Sequence, residues 1–323
     1  MASKIQKKIV GMAKEKLKTS TTTEKTIASP APPTVKKDAP KCSPAAPSPE
    51  PKFEVIDFIL RHFRTPVWKE FKGLTYTSDE VNSLLDAVIP VLRAERTLCR
   101  MSGHVTIVGD LNGHFKDLIR VLNVRAVAKG HEHKQVFATE RFCFLGDYIE
   151  ANALNLETIC LLFGLKVVYV NRYILLRGHQ ETCAINETSA FKGQIIRRFP
   201  KDHENIWKKF KTAFSLLPIA AVIGEKILCV HGGISPEIKK SVLEIEAIPK
   251  ESTVQQVAPM VFDLMFACPL DDDAQGADSD EPQYFMSPKK DFAKRFNEAA
   301  VKDFCTKTGI ELVVRSHEAN ALH

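Results

Sequence analysis

Five short apolar runs along the chain share one habit: each ends in, or just before, an aspartate or a histidine. Residues 104–109 lead to Asp110, residues 141–146 to Asp147 and residues 173–178 to His179. Residues 226–230 lead to His231, and residues 311–316 to His317. The runs are short and β-branched, which predicts buried strands. Elsewhere the apolar period lengthens to that of a helix. Phe53, Ile56, Ile59 and Leu60 predict one helix. Thr77 and Glu80 predict a capping box ahead of Val81, Leu84, Leu85 and Val88. Phe115, Leu118, Ile119 and Leu122 predict another, as do Leu156, Ile159, Cys160 and Phe163. Phe292, Phe296, Ala299, Ala300 and Phe304 predict a further helix, stopped by Gly309. Strands alternating with helices argue for an α/β sheet, and such sheets bind ligands at the carboxyl ends of their strands. No internal repeat is visible, and the acidic stretch from Asp271 to Glu281 reads as a solvated loop.

Charge separates the first fifty residues from the rest. They hold ten lysines and four acids, a net of +6, which is the net charge of the whole 323-residue chain. The remainder is therefore balanced, and the basic character gives the folded body no claim on nucleic acid. Residues 1–52 read as a disordered basic tail rich in Pro, Ser, Thr and Lys, and residues 53–323 as the folded domain. Lys4 to Lys18 also fits a short basic amphipathic helix suited to an acidic partner or a membrane surface, although so short a helix is marginal alone. Ser29, Ser43 and Ser48 each precede proline and are candidate proline-directed phosphorylation sites.

Hydrophobic residues make up 44% and charged residues 26%, a balance that suits a globular domain of this length. No apolar run approaches the roughly 18 residues of a membrane span, and no apolar segment of a secretory signal follows the basic N-terminus. The eight cysteines include no C-x-x-C pair, so they suggest neither a zinc knuckle nor a disulfide framework. Several sit in apolar runs, as buried reduced thiols of a cytoplasmic or nuclear protein do.

Any single aspartate or histidine after a strand is most often a loop residue or a helix cap. Five at the same end of five strands point instead to a ligand set. Carboxylate with imidazole suits Mn, Fe or Zn better than Ca or Mg alone. Ligands from five strand ends can hold two metals roughly 3.5–4 Å apart, the arrangement used in many phosphoester hydrolyses. The competing view is that these residues are held only by hydrogen bonds of the sheet.

The surrounding residues resemble the phosphoprotein phosphatase family, in particular its type-1 serine/threonine enzymes. Residues 109–113, Gly-Asp-Leu-Asn-Gly, look like the G-D-x-H-G motif, and residues 146–150, Gly-Asp-Tyr-Ile-Glu, like G-D-Y-V-D. Residues 176–181, Leu-Arg-Gly-His-Gln-Glu, look like L-R-G-N-H-E, and residues 314–318, Val-Arg-Ser-His-Glu, like R-A-H-Q. Residues 155–162 and 217–237 are similar over their whole length. The resemblance implies a calcineurin-like metallophosphoesterase β-sandwich flanked by helices, two divalent metals (Mn, Fe or Zn), and phosphoprotein or regulatory protein partners. The chain stops six residues after His317, so the resemblance also implies that the C-terminal strands completing the sandwich are missing.

Carried over position by position, the resemblance implies metal ligands at Asp110, Asn112, Asp147, His179, His231 and His317. Four match the family. Asn112 stands for a histidine and His179 for an asparagine, so the ligand count is kept. The catalytic positions fare worse. Gln180 replaces the proton-donating histidine, and Glu150 replaces the aspartate that orients it. Ala151 occupies the place of a phosphate-clamping arginine, and Asn152 follows where the family has glycine. A second clamp arginine is expected after the W-S-D-P motif, which reads Phe-Ala-Cys-Pro at residues 266–269, and no arginine occurs between Arg198 and Arg295. Bidentate guanidinium binding has no obvious substitute. Three readings compete: a weakly active or inactive pseudophosphatase, an active phosphoprotein phosphatase with a rearranged metal site, and a phosphoesterase for another substrate such as a nucleotide.

Overall fold

The structure, a computed structural model, describes residues 53–64, 71, 73–128, 136–150, 152–182, 189–250, 259–271, 273–287 and 290–318. The expectations for the basic tail, for its Ser-Pro dipeptides and for Ala151 lie outside the described residues. In chain order, the folded part begins with helices α1 (Val55–Arg64) and α2 (Ser78–Ala94). Strands β1 (Leu98–Met101) and β2 (Thr106–Val108), helix α3 (Phe115–Ala128) and strand β3 (Phe142–Phe144) follow. Next come helix α4 (Asn155–Val168), strand β4 (Tyr173–Leu175), helices α5 (Ala190–Arg198) and α6 (His203–Ser215), and strands β5 (Ala220–Ile223) and β6 (Ile227–Val230). The last part holds helix α7 (Pro259–Phe266), strands β7 (Cys268–Pro269), β8 (Tyr284–Ser287) and β9 (Lys290–Phe296), helix α8 (Glu298–Thr308) and strand β10 (Leu312–Val314).

Two sheets face each other. One has the order β1-β5-β6-β10, with β1 parallel to β5, β5 antiparallel to β6, and β6 parallel to β10. The other is β2-β3-β4, parallel throughout. The period of two along β5 divides its residues between the two faces. Ala221 and Ile223 join Cys99, Cys143, Ile174, Leu176 and Cys229 in the core between the sheets. Ala220 and Val222 face the other way, into a core with Leu264 and Phe266 of α7 and Ala300 and Phe304 of α8. A small third sheet, β7-β9-β8, packs against α7. This is the expected calcineurin-like α/β sandwich, with all five strand-end runs realised as strands.

Helix α4 is buried on every side from Asn155 to Lys166, which explains its nearly unbroken apolar sequence. Its two buried charges are paired. Glu157 meets Arg198 at 2.9 Å, and the Lys166 ammonium bonds Glu95 and the carbonyls of Val170 and Tyr173. The capping box at α2 forms as expected: Thr77 Oγ1 accepts the Glu80 N–H at 3.1 Å, and Glu80 accepts the Thr77 N–H at 2.9 Å.

One expected helix is corrected. Phe292 and Phe296 lie on β9, and α8 starts only at Glu298, capped by Asn297, whose side chain accepts the Ala300 N–H at 2.9 Å. A spacing of four satisfies a strand's period of two as well as a helix's 3.6, so those two positions could not distinguish them. Gly309 does end α8, at φ +73°. The described cysteines are all free: Cys99, Cys143, Cys160, Cys229 and Cys268 are buried and Cys305 is half-buried. No helix among the described residues is long and apolar enough to cross a membrane.

Candidate metal centre

Register brings the donors together. Val108, Phe144 and Leu175 are aligned across β2, β3 and β4, so Asp110, Asp147 and His179 leave that sheet at one end. Val314 is aligned with Cys229, so His231 and His317 leave the facing sheet side by side. Two groups result. Asp110, Asp147 and His231 offer donor atoms all within 4.8 Å of one another, and so do Asp147, His179 and His317. Asp147 belongs to both, which is the geometry of a carboxylate shared by two cations.

The loops that carry these donors are held by backbone bonds and by unusual backbone angles. Leu111 and Asn112 donate their N–H groups to the Asp147 carbonyl at 3.0 and 2.8 Å, and Gly113 donates to Tyr148 at 2.9 Å. Among the described residues, four besides glycine have positive φ, and three of these are Asn112 (+47°), Asp147 (+50°) and His317 (+72°). Such angles are costly and cluster where a site must be held in one shape. Gly146, at φ +112°, lets the β3 and β4 loops touch, since a Cβ there would lie 2.5 Å from the Gly178 backbone.

Buried Glu181 holds the same junction from below. Its carboxylate accepts N–H groups from Asp147 at 2.9 Å, Tyr148 at 2.9 Å and Gly178 at 3.0 Å. Burial pushes its carboxyl up to about 7 against the opposing pull of those N–H groups. Burial, and then the Glu181 charge, also raise Asp147, and burial raises Asp110. His231 is driven well below its ordinary value, by burial first and by His317 second, so its ring is neutral. Its Nδ1 lies 3.0 Å from the Leu145 carbonyl, which can only accept, so Nδ1 carries the hydrogen. Nε2 therefore presents a lone pair. It is buried, has no hydrogen-bond partner, and lies 3.4 Å from Asp147 Oδ1.

That orphaned nitrogen is the fit test for a metal. An unpartnered lone pair faces a carboxyl oxygen in a pocket where burial penalises negative charge, and a divalent cation satisfies the nitrogen and stabilises the ionised carboxylates. The mixed oxygen and nitrogen donors suit Mn, Fe or Zn. Phe266 closes the site on the side of His179 and His317, with ring centroids 5.1 and 6.2 Å away.

Five of the six expected ligand residues thus come together. The sixth, half-buried Asn112, adjoins them through its N–H bond to Asp147. Gln180 lies beside them, its N–H donating to Asp147 Oδ1 at 2.7 Å. Glu150 is exposed, and its main chain is pinned by Asn155 at 3.0 and 2.5 Å. Two supporting residues drew no role from the sequence reading: Glu181, and Ser316, which bonds Asp110. Glu181 stood as the retained last residue of the L-R-G-N-H-E motif and Ser316 as a departure from R-A-H-Q, but their bonds to Asp147 and Asp110 join segments far apart in the chain. Four arginines among the described residues are committed elsewhere. Arg177 bonds the carbonyls of Ser215 and Lys250, Arg198 bonds Glu157, and Arg315 bonds the carbonyls of Gly232 and Glu318. Arg295 forms a double bond pair with Asp271 at 2.8 Å each.

Comparison with solved structures finds a serine/threonine phosphatase from Saccharomyces cerevisiae, described as similar to human phosphatase PP5. It matches with a TM-score of 0.63 and 18% identity, over 76% of this chain and 72% of that one. A cold-active protein-tyrosine phosphatase of a psychrophilic Shewanella species matches at a TM-score of 0.37 and 14% identity, over 46% of this chain and 47% of that one. The sequence model of the calcineurin-like phosphoesterase family matches residues 103–321. That span opens just before β2 and closes just past His317, taking in all five strand-end donors, and the chain accordingly belongs to the calcineurin-like phosphoesterase family.

Proposed function

We propose that the chain is a type-1-like serine/threonine phosphatase relative that keeps a divalent-metal cradle but works as a weakly active or inactive pseudophosphatase, engaging phosphoprotein or regulatory protein partners. The observation that carries this reading is Gln180. Its backbone is bonded to Asp147, which puts residue 180 beside the cluster, and in the resembled motif that position is a proton-donating histidine. An amide cannot release a proton near neutral pH. When bound, divalent cations would acidify a water and neutralise phosphoryl oxygens, and Asp110, Asp147, His179, His231 and His317 would hold them. What the chain itself contributes is binding and orientation: Glu181 and Ser316 steady the carboxylates, Leu145 fixes the His231 tautomer, and Phe266 limits water.

Loss of a general acid typically costs about 10²–10⁴ in rate. Loss of a preorganised charge donor costs about 10²–10³. The two are not additive, yet together they bring a fast hydrolase close to background. The donor set supports Mn, Fe or Zn, and the free, buried cysteines support a reducing compartment, the cytoplasm or nucleus.

A second reading, an active phosphatase with a rearranged metal site, is favoured by one observation: His179, in place of an asparagine, completes a three-donor group with Asp147 and His317. One assay separates the two. Purified protein with Mn²⁺ is offered an aryl phosphate, whose leaving group needs no acid, and a phosphopeptide. Slow aryl turnover with none on the peptide supports the pseudophosphatase. Peptide turnover that disappears in Asp147→Asn overturns it.

A further inference from the structure

Ser316 sits where the two sheets meet at the metal centre. It follows β10 of one sheet and reaches Asp110 at the end of β2 in the other. Its Oγ accepts the Asp110 N–H at 3.0 Å and donates to Oδ1 of the same residue. Its own N–H donates to the His231 carbonyl at 3.0 Å. One residue therefore holds two of the three donors in the Asp110–Asp147–His231 group. The neighbouring His317 N–H adds a longer contact, 3.4 Å, to the same Asp110 oxygen. Room for the hydroxyl comes from Gly109, where a Cβ would lie 3.1 Å from Ser316 Oγ. An alanine, as in the R-A-H-Q motif that residues 315–318 resemble, has nothing to offer either Asp110 atom.

We infer that Ser316 is a positioning residue, whose hydroxyl fixes the Asp110 carboxylate for the cation held by Asp110, Asp147 and His231. The inference rests on the reading of this cluster as a metal centre. A carboxylate turning freely about its last bond must be ordered by the cation it binds. One whose oxygen and backbone N–H are both tied to a single hydroxyl is ordered beforehand. Outer partners of this kind are typically worth about 10- to 100-fold in metal affinity.

The test is isothermal titration of the full-length, metal-stripped protein with Mn²⁺, comparing wild type, Ser316→Ala, Ser316→Thr and Asp110→Asn. Asp110→Asn identifies which binding step belongs to Asp110. The expected result is that Ser316→Ala weakens that step by about 10- to 100-fold. The other step stays within about twofold. Ser316→Thr, which keeps the hydroxyl, restores the affinity, and the metal-free proteins melt together. Wild-type affinities in Ser316→Ala overturn the positioning role while leaving the metal centre intact. So does an equal loss at both steps accompanied by a lower melting temperature, the mark of a merely structural residue. Wild type that takes up no Mn²⁺ overturns the metal-centre reading itself, and the inference with it.

Discussion

His231 Nε2 faces Asp147 Oδ1 across 3.4 Å, and the nitrogen has no hydrogen-bond partner. The Leu145 carbonyl has claimed the imidazole's one N–H, and burial keeps a second proton off the ring. An ionised Asp147 oxygen and that lone pair repel each other unless something positive lies between or beside them. The pair thus marks a candidate cation position from the chain's own atoms, and the contacts around it set what substitutions will do.

Because Asp147 serves both donor groups and Asp110 only one, their removal has unequal effects. Asp147→Asn is expected to abolish both Mn²⁺ binding steps, and Asp110→Asn to remove one. Metal content of dialysed protein, measured by plasma mass spectrometry, checks the ratio. Equal residual metal in the two variants would show that Asp147 is not shared.

Gly146 and Gly224 both have positive φ, but they differ in surroundings. A Cβ at 146 would lie 2.5 Å from the Gly178 backbone, whereas one at 224 meets nothing within 4 Å. Gly224→Ala should cost only the left-handed penalty, about 1–2 kcal/mol. Gly146→Ala adds a backbone collision beside Asp147, so its cost should exceed about 3 kcal/mol and Mn²⁺ affinity should fall with it. Urea unfolding of the two metal-free variants gives the difference directly.

The features legible in the sequence were those that depend on near neighbours in the chain. Each strand-end donor could be found because a run of apolar residues and the group after it are contiguous, and parallel pairing then brings the ends together. Helix α4 declared itself through the helical spacing of Leu156, Ile159, Cys160 and Phe163, and the Thr77–Glu80 box through a spacing of three. Phe292 and Phe296 misled because a spacing of four fits two periods. Ser316 and Glu181 were opaque for another reason: 206 residues separate Ser316 from Asp110, and 34 separate Glu181 from Asp147. No local pattern encodes which carboxylate a hydroxyl will meet. No strand was read at β1 or β5, since neither ends in a chemical group.

Part of the acid sensitivity should arise away from the metal centre, at His62, beside the share that buried, neutral His231 contributes within it. It is fully buried, with Nδ1 at 2.9 Å from the Phe58 carbonyl and Nε2 at 2.8 Å from the Tyr76 hydroxyl. Nδ1 therefore donates, Nε2 accepts, and the neutral ring is satisfied. Burial holds its pKa down, to about 4 from 6.5. As pH falls through 6.5 the unfolded chain takes up a proton that the folded chain refuses. Stability is thus fully present above about 6.5 and declines toward 4, by about 3 kcal/mol in all. His62→Gln should be less stable at pH 7 but flatter between pH 6.5 and 4, which chemical denaturation of the metal-free protein at a series of pH values measures. An unchanged slope in the variant would exclude His62 as a source.

Gln180 offers a test by restoration. Its N–H already holds Asp147 at 2.7 Å, so the backbone at 180 is anchored and a new side chain starts from a fixed point beside the cluster. Gln180→His supplies a group that titrates near neutral pH. If the missing acid is what limits the chain, turnover of a phosphopeptide with Mn²⁺ should rise, by at most about 10²–10⁴. Turnover of an aryl phosphate should change far less, because its leaving group departs without a proton. The difference between the two substrates is the signature, since better folding or tighter metal binding would raise both together. A parallel rise in both rates would place the defect in the metal cradle, and no rise in either would place it at the phosphate clamp. Adding Asp147→Asn to Gln180→His should return the peptide rate to background, tying any gain to the shared carboxylate.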